Sequence, residues 1–249
     1  MVEQETGGGS RYETILVKLS GEALQNRDKG LCIDPEIVAG IARRIKTVHA
    51  MGARIAMVIG GGNIFRGASG ASRGIDRTSG DYMGMLATII NAIAMQNALE
   101  QAGVETRVQS AISMQRVAEP FILRRAMRHL AKGRVMIFAG GTGNPYFSTD
   151  SAAALRASEI GADVLIKATK VDGVYAEDPM VNPEAERFEQ LSYRQALSQS
   201  LRVMDAAAFS LCMDNAIPIV VLNFFEDGSL ERAVQGETVG TLVCAEADE

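Results

Sequence analysis

The chain has 249 residues and a formal charge of −5, with 25 glycines, 3 cysteines, 2 histidines and no tryptophan. The acidic balance argues against a general nucleic-acid binder, and cysteines as far apart as Cys32, Cys212 and Cys244 make neither a disulfide framework nor a zinc site. Hydrophobic residues at 47% with only 5% aromatics call for an aliphatic core, as in helices packed on a parallel sheet.

Residues 1–11 are acidic and Gly-rich, and read as a flexible tail before a single domain over residues 12–249. Thr14 to Leu19 is a β-branched run that ends at Ser20-Gly21 and reads as a strand. Asp34-Pro35-Glu36 opens a helix with an N-cap, Pro at its first position and an acid in its first turn. That helix stops near Gly52. A strand follows over Arg54 to Ile59, ended by Gly60-Gly61-Gly62. The spacing predicts a long helix from Asp81 to Ala102, with Met83, Leu86, Ala87, Ile90, Ile93, Ala94 and Asn97 on one face and Asn91 interrupting its most apolar stretch. Next come a strand from Val104 to Gln109, a helix from Glu119 to Ala131 and a strand from Arg134 to Ala139, which ends in Gly140-Gly141-Thr142-Gly143. A helix from Asp150 to Ile160 leads to a strand from Ala162 to Lys167. The stretch 170–190 reads as irregular with room for a short hairpin. Helical segments near 192–198 and 205–214, a strand from Ile217 to Leu222, a short helix near 229–234 and a strand from Thr238 to Cys244 complete the chain. Alternating strands and helices imply a mainly parallel sheet covered on both faces, an α/β fold.

In such a sheet, ligands bind beyond the C-terminal ends of the strands. Ser20-Gly21, Gly60-Gly61-Gly62-Asn63 and Gly140-Gly141-Thr142-Gly143-Asn144 all fall at such ends. Any one cluster could simply stop a strand. Together they favour a ligand with several phosphates, because consecutive glycine N–H groups can converge on an anion. G-x-x-x-x-G-K-[ST] is absent, so this is not a P-loop enzyme by sequence, and the absence of a strand followed by G-x-G-x-x-G argues against a dinucleotide dehydrogenase.

Lys18 interrupts an apolar strand just before Ser20-Gly21, where a lysine can reach phosphoryl oxygens or simply mark a sheet edge. Arg66 is the second cation candidate, with a solvated helix charge as its plain alternative. Asp81 and Asp150 each precede an apolar helix and could either cap it or serve a ligand, by accepting a hydroxyl, orienting a lysine or meeting Mg²⁺. Tyr146 and Phe147, beside Pro145, and Tyr175 are aromatics able to line a base pocket or to plug the core. His49 and His129 read as surface residues, and no metal-ligating set is expected.

These stretches resemble one family in order along nearly the whole chain. Val17 to Leu24, Val58 to Gly67, Gly80 to Thr88, Ala139 to Asp150, Lys167 to Tyr175 and Val203 to Phe209 are similar to the motifs of bacterial uridylate (UMP) kinases, in the amino-acid-kinase superfamily. The resemblance implies an αβα sandwich with an N-terminal acceptor-binding part and a C-terminal ATP-binding part. It also implies the reaction ATP + UMP → ADP + UDP with Mg²⁺, in pyrimidine nucleotide synthesis in the cytoplasm. Carried over by position, Lys18, Leu19, Ser20, Gly21, Gly62 and Arg66 meet the ATP phosphates, and Thr169, Tyr175 and Asp178 meet its nucleoside. Gly61, Asp81, Thr142, Gly143, Asn144, Pro145, Tyr146, Phe147, Ser148 and Thr149 hold UMP, and Asp150 organises the catalytic lysine. Lys18, Arg66 and Asp150 are then the catalytic set. The resemblance further implies a homohexamer built as a trimer of dimers, UTP as an inhibitor and GTP as an allosteric effector, although Gln96-Asn97 stands where GTP-activated relatives carry Arg-Asp. A superfamily kinase acting on a carboxylate or carbamate, and a non-catalytic oxyanion-storage protein, are the rival readings. The Gly143 to Thr149 stretch argues against the first, and Lys18, Arg66 and Asp150 against the second.

Overall fold

The computed structural model describes residues 9–66, 74–177, 182, 184–199, 201 and 204–245. Its centre is a sheet whose middle strands are β1 (Thr14–Leu19), β2 (Arg54–Ile59), β5 (Val135–Ala139) and β6 (Val164–Thr169). With β3 (Thr106–Ser110), β4 (Glu119–Pro120), β9 (Gln190–Ser192), β10 (Ile219–Asn223) and β11 (Thr241–Cys244) the order is β4-β3-β5-β2-β1-β6-β10-β11-β9. Every pairing is parallel except β10 with β11. Strands β7 (Val174–Tyr175) and β8 (Arg187–Phe188) form a separate antiparallel pair, within the stretch where a hairpin was expected.

Side chains that alternate along a strand sort into two cores. Ile15, Val17, Leu19, Ile55, Met57 and Ile59 meet α1 (Pro35–Ala50), α2 (Arg77–Gln101) and α7 (Ser229–Gln235). Leu16, Ala56, Val58 and Leu165 face the other way, toward α3 (Leu123–Ala131), α4 (Thr149–Ile160), α5 (Tyr193–Ser198) and α6 (Ala206–Asp214). The result is the expected three-layer αβα sandwich. Ala152, Ala153, Ala154 and Ala157 are all buried on α4, so small side chains let that helix lie close to the sheet.

The structure corrects several expectations. Helix α2 begins at Arg77, with Asp76 as its N-cap accepting from Ser79 N, so Asp81 lies inside the helix and caps nothing. The face predicted for α2 is largely the outward one. Met83, Leu86, Ile90 and Ile93 are exposed, while Met85, Ile89, Ala92, Met95 and Leu99 are buried. The helix is apolar on both sides, and periodicity cannot choose between two apolar faces. Glu119 and Pro120 are an edge strand rather than the start of a helix, as fits a residue held extended before proline and a proline kept to a sheet edge. His129 is buried rather than on the surface, held between Glu119 and Arg134. At the N-terminal end, Ser10 N and Arg11 N donate to Met51 O and Val234 O.

Candidate active site

Lys18 and Lys167 are register partners on the adjacent parallel strands β1 and β6, near the C-terminal ends of both. They occupy the face of Leu16 and Leu165, where the next core residue would otherwise stand. What they meet there is Asp150, in the first turn of α4. The carboxylate bridges them, with Lys18 Nζ 2.6 Å from Oδ1 and Lys167 Nζ 2.8 Å from Oδ2. Burial pushes the Asp150 carboxyl up, but the two ammonium groups outweigh it and hold it below the usual carboxylate range. Burial also holds Lys167 below the usual lysine range, against the pull of Asp150.

The helix N-terminus that carries Asp150 is fixed by its neighbours. Ser148 caps α4, its Oγ accepting from Asp150 N at 2.9 Å and Ser151 N at 3.2 Å. Asp205, the N-cap of α6, accepts from both the Ser148 and Ser151 hydroxyls and so ties the two helix ends together. Its own capping bond comes from Ala208 N at 2.8 Å.

Two clefts flank this centre. The first is a cavity of about 120 Å³ among Gly61, Phe65, Asp81, Met85, Thr142 and Thr149, with Phe147 and Ser148 at its wall. Beside it, Asp81 Oδ2 accepts from Tyr146 N at 2.8 Å and from Arg77 Nε at 2.9 Å. Arg77 also lies 5.4 Å from the centre of the Tyr146 ring. These contacts hold Tyr146 at φ +72°, a conformation that costs a non-glycine residue about 1–3 kcal/mol. Oδ1 of Asp81 accepts from no described residue. The second cleft, about 140 Å³, is lined by Lys18, Ser20, Glu22, Lys167, Thr169 and Phe225, among others.

The sequence candidates thus fall into two groups. Gly61, Asp81, Thr142, Phe147, Ser148 and Thr149 line the first cleft. Gly143, Asn144, Pro145 and Tyr146 lie in the loop that joins Thr142 to Phe147, where Thr142 Oγ1 donates to Asn144 O. Lys18, Ser20 and Thr169 line the second. Leu19 is fully buried in the core, so only its backbone can serve a ligand. Gly21 lies against the Gly60 carbonyl, where a Cβ would come within 2.4 Å of Gly60 O and of Asn63 Oδ1. Arg66, beside Gly62, is ion-paired to Glu22 and lines neither cleft. Tyr175 is drawn aside by its hydroxyl, which donates to Asp172 at 2.7 Å. Asp178 lies outside the described residues. Lys167 and Asp205 are not among the sequence candidates, although Lys167 shows the signal that marks Lys18, a cation in an apolar strand. Among the described residues no three His, Cys, Asp or Glu side chains gather where a metal could sit, and no helix is long and apolar enough to cross a membrane.

The profile of the amino acid kinase family matches residues 13–223. Among solved structures, a UMP kinase from Bacillus anthracis is 39% identical at a TM-score of 0.92, the match covering 95% of this chain and 97% of that one. A UMP kinase from Ureaplasma parvum is 37% identical at 0.88, over 94% and 99%. A uridylate kinase from Archaeoglobus fulgidus is 29% identical at 0.72, over 92% and 99%.

Proposed function

This chain belongs to the amino acid kinase family, among its UMP kinases, and from that premise we propose that it transfers the γ-phosphoryl group of ATP to UMP, giving ADP and UDP. The observation that carries the reading is the Lys18–Asp150–Lys167 bridge standing between two clefts. UMP takes the first cleft and ATP the second. An oxygen of the UMP phosphate attacks the γ-phosphorus in line, and the bond to the β-phosphate oxygen breaks. The acceptor phosphate is already anionic, so no base is needed. The obstacle is repulsion between two anions. Lys18 and Lys167 together present two ammonium groups that can meet the phosphates. Ser20, the backbone at Leu19 and Gly21, and Gly62 cradle the ATP phosphates. Arg66 exchanges Glu22 for phosphate, and Thr169, Tyr175 and Asp178 serve the nucleoside. ATP would enter as its Mg²⁺ complex, in which the metal would offset charge on the phosphate oxygens. Formation of UDP and ADP from UMP and MgATP, with CMP, dCMP and dUMP as comparison acceptors, tests the reaction. No phosphoryl transfer to UMP would overturn it.

Asp81 offers Oδ1, which no described residue engages, to a ribose hydroxyl of UMP. Asp81→Ala is expected to raise the KM for UMP by about 10- to 100-fold, the worth of a hydrogen bond to a charged group. The KM for ATP stays near wild type. An unchanged UMP KM in the folded variant would remove Asp81 from the acceptor site.

The outward stripe of α2, with Tyr82, Met83, Leu86, Ile90 and Ile93 each 39–50% exposed, supports burial against a second copy of the chain. We place a dimer there and, on the resemblance, three dimers in a hexamer. Sedimentation of Leu86→Lys/Ile90→Lys is expected to show smaller species than wild type, and a monomeric wild type would contradict the assembly. UTP competes at the uracil pocket. GTP is a candidate effector, for which Arg107 and Arg134, now paired with Glu100 and Glu105, are the available cations. The pathway role is pyrimidine nucleotide synthesis and the compartment the cytoplasm.

A further inference from the structure

Two polar side chains lie buried on the inner face of the otherwise apolar α2, three residues apart. Thr88 is 3% exposed and Asn91 is fully buried. Each takes hold of a glycine loop. Asn91 Nδ2 donates to Gly60 O at 2.7 Å, and Thr88 Oγ1 accepts from Gly140 N at 2.8 Å. Asn91 is in turn locked by Asn63. The two carboxamides exchange hydrogen bonds, Asn91 Nδ2 to Asn63 Oδ1 at 2.7 Å and Asn63 Nδ2 to Asn91 Oδ1 at 3.0 Å. Asn63 also donates to Cys32 O at 2.8 Å, which anchors the pair to the segment before α1.

The effect on the glycine loop is directional. Gly60 O is turned inward by Asn91, and Gly61 O is consumed by Ile64 N and Phe65 N, both at 3.0 Å. Both carbonyls are engaged within the protein, while the N–H groups of Gly61 and Gly62 donate to no described residue. A loop with engaged carbonyls and free amides presents positive potential to an anion. Were Gly60 O released, it would be free to turn a partial negative charge toward the phosphates. Gly61 itself is pressed against α2, where a Cβ would come within 2.6 Å of Gly84 O.

We propose that Asn91, locked by Asn63, is a positioning residue that fixes the Gly61 and Gly62 amides toward the transferring phosphoryl group, with Thr88 as the matching pin on the Gly140 loop. The inference rests on the phosphoryl-transfer reading above.

The test assays Asn91→Ala and Asn63→Ala with UMP and MgATP, beside Leu99→Ala, a buried aliphatic truncation on the same helix. Both Asn variants are expected to lose about 10- to 100-fold in kcat, with the KM for UMP and for ATP within about threefold of wild type. The double variant is expected to be no slower than the slower single one, because the two amides act as a unit. Leu99→Ala, at a comparable fall in Tm, is expected to keep its kcat. Wild-type kcat in the Asn variants despite a lower Tm, or an equal kcat loss in Leu99→Ala, would overturn the proposal. If Asn91→Ala does not fold, Asn63→Ala decides the Asn pin. Thr88→Val against Thr88→Ser tests the second, the hydroxyl of Ser expected to restore the rate that Val loses. A wild-type enzyme inactive on UMP overturns the reaction itself, whereas an active wild type with unaffected variants overturns only the positioning role.

Discussion

Lys18→Ala is expected to lower kcat by about 10²- to 10³-fold, the loss seen when one preorganised donor to a developing charge is removed. Its ammonium is held by Asp150 at the end of β1, and the residue is only 9% exposed, so it needs little reorganisation when phosphates arrive. Water cannot fully replace it, because the site is partly screened from solvent. The KM for UMP should change little, since Lys18 lines the second cleft rather than the first. Steady-state kinetics with each substrate varied in turn separate the two effects. A wild-type kcat would remove Lys18 from the reaction.

Asp150→Asn is expected to cost both rate and stability, but by a different route. The carboxylate is the anion that both lysines share, and the amide leaves two neighbouring ammonium groups without it. Breaking a buried ion pair on one side costs about 3 kcal/mol, read as a fall in the denaturation midpoint. Part of that loss should return on adding ATP, whose phosphates replace the missing anion, so ATP should raise the Tm of the variant more than that of wild type. Equal ATP shifts in the two proteins would argue against the shared-anion role.

The pH dependence follows with a definite sign. Asp150 titrates below the ordinary carboxylate range in the folded protein. Its contribution to stability is therefore present above the unfolded-state value and is lost as pH falls through the depressed one. Asp150→Asn should flatten that acid limb. On the alkaline side, burial already lowers Lys167 and Asp150 opposes the shift. Without the carboxylate, Lys167 should lose its proton at still lower pH, and the alkaline limb of the kcat profile should move toward neutrality.

The strands, the αβα layering and the glycine clusters at the strand ends were legible because each rests on a local signal. A β-branched run ending in glycine needs no partner to be recognised. What escaped notice depends on a partner. Lys167 carries the same mark as Lys18, but only the β1–β6 register and the approach of α4 show that the two share one carboxylate. Asp81 looked like a helix cap because Ser79-Gly80 resembles a stop, whereas Asp76 supplies the cap one turn earlier. The buried face of α2 was unreadable because Leu86 and Ile89 are equally apolar and only tertiary packing separates them. Strands β4 and β9 span two and three residues, too short for any periodicity to register.

The order β10-β11-β9 has a consequence for how the polypeptide is made. Strand β11 is translated after both of the strands it lies between. Until residues 241–244 leave the ribosome, β9 has no neighbour in the sheet and β10 has an open edge. The half of the sheet centred on β1, β2, β3 and β5 has its strands in hand about a hundred residues earlier. Nascent chains stalled before residue 241 should therefore carry an ordered first half beside an exposed strand edge, the kind of surface that recruits chaperones and invites misassembly. Completion of the sheet waits on residues 241–244, which join β10 to β9 from within.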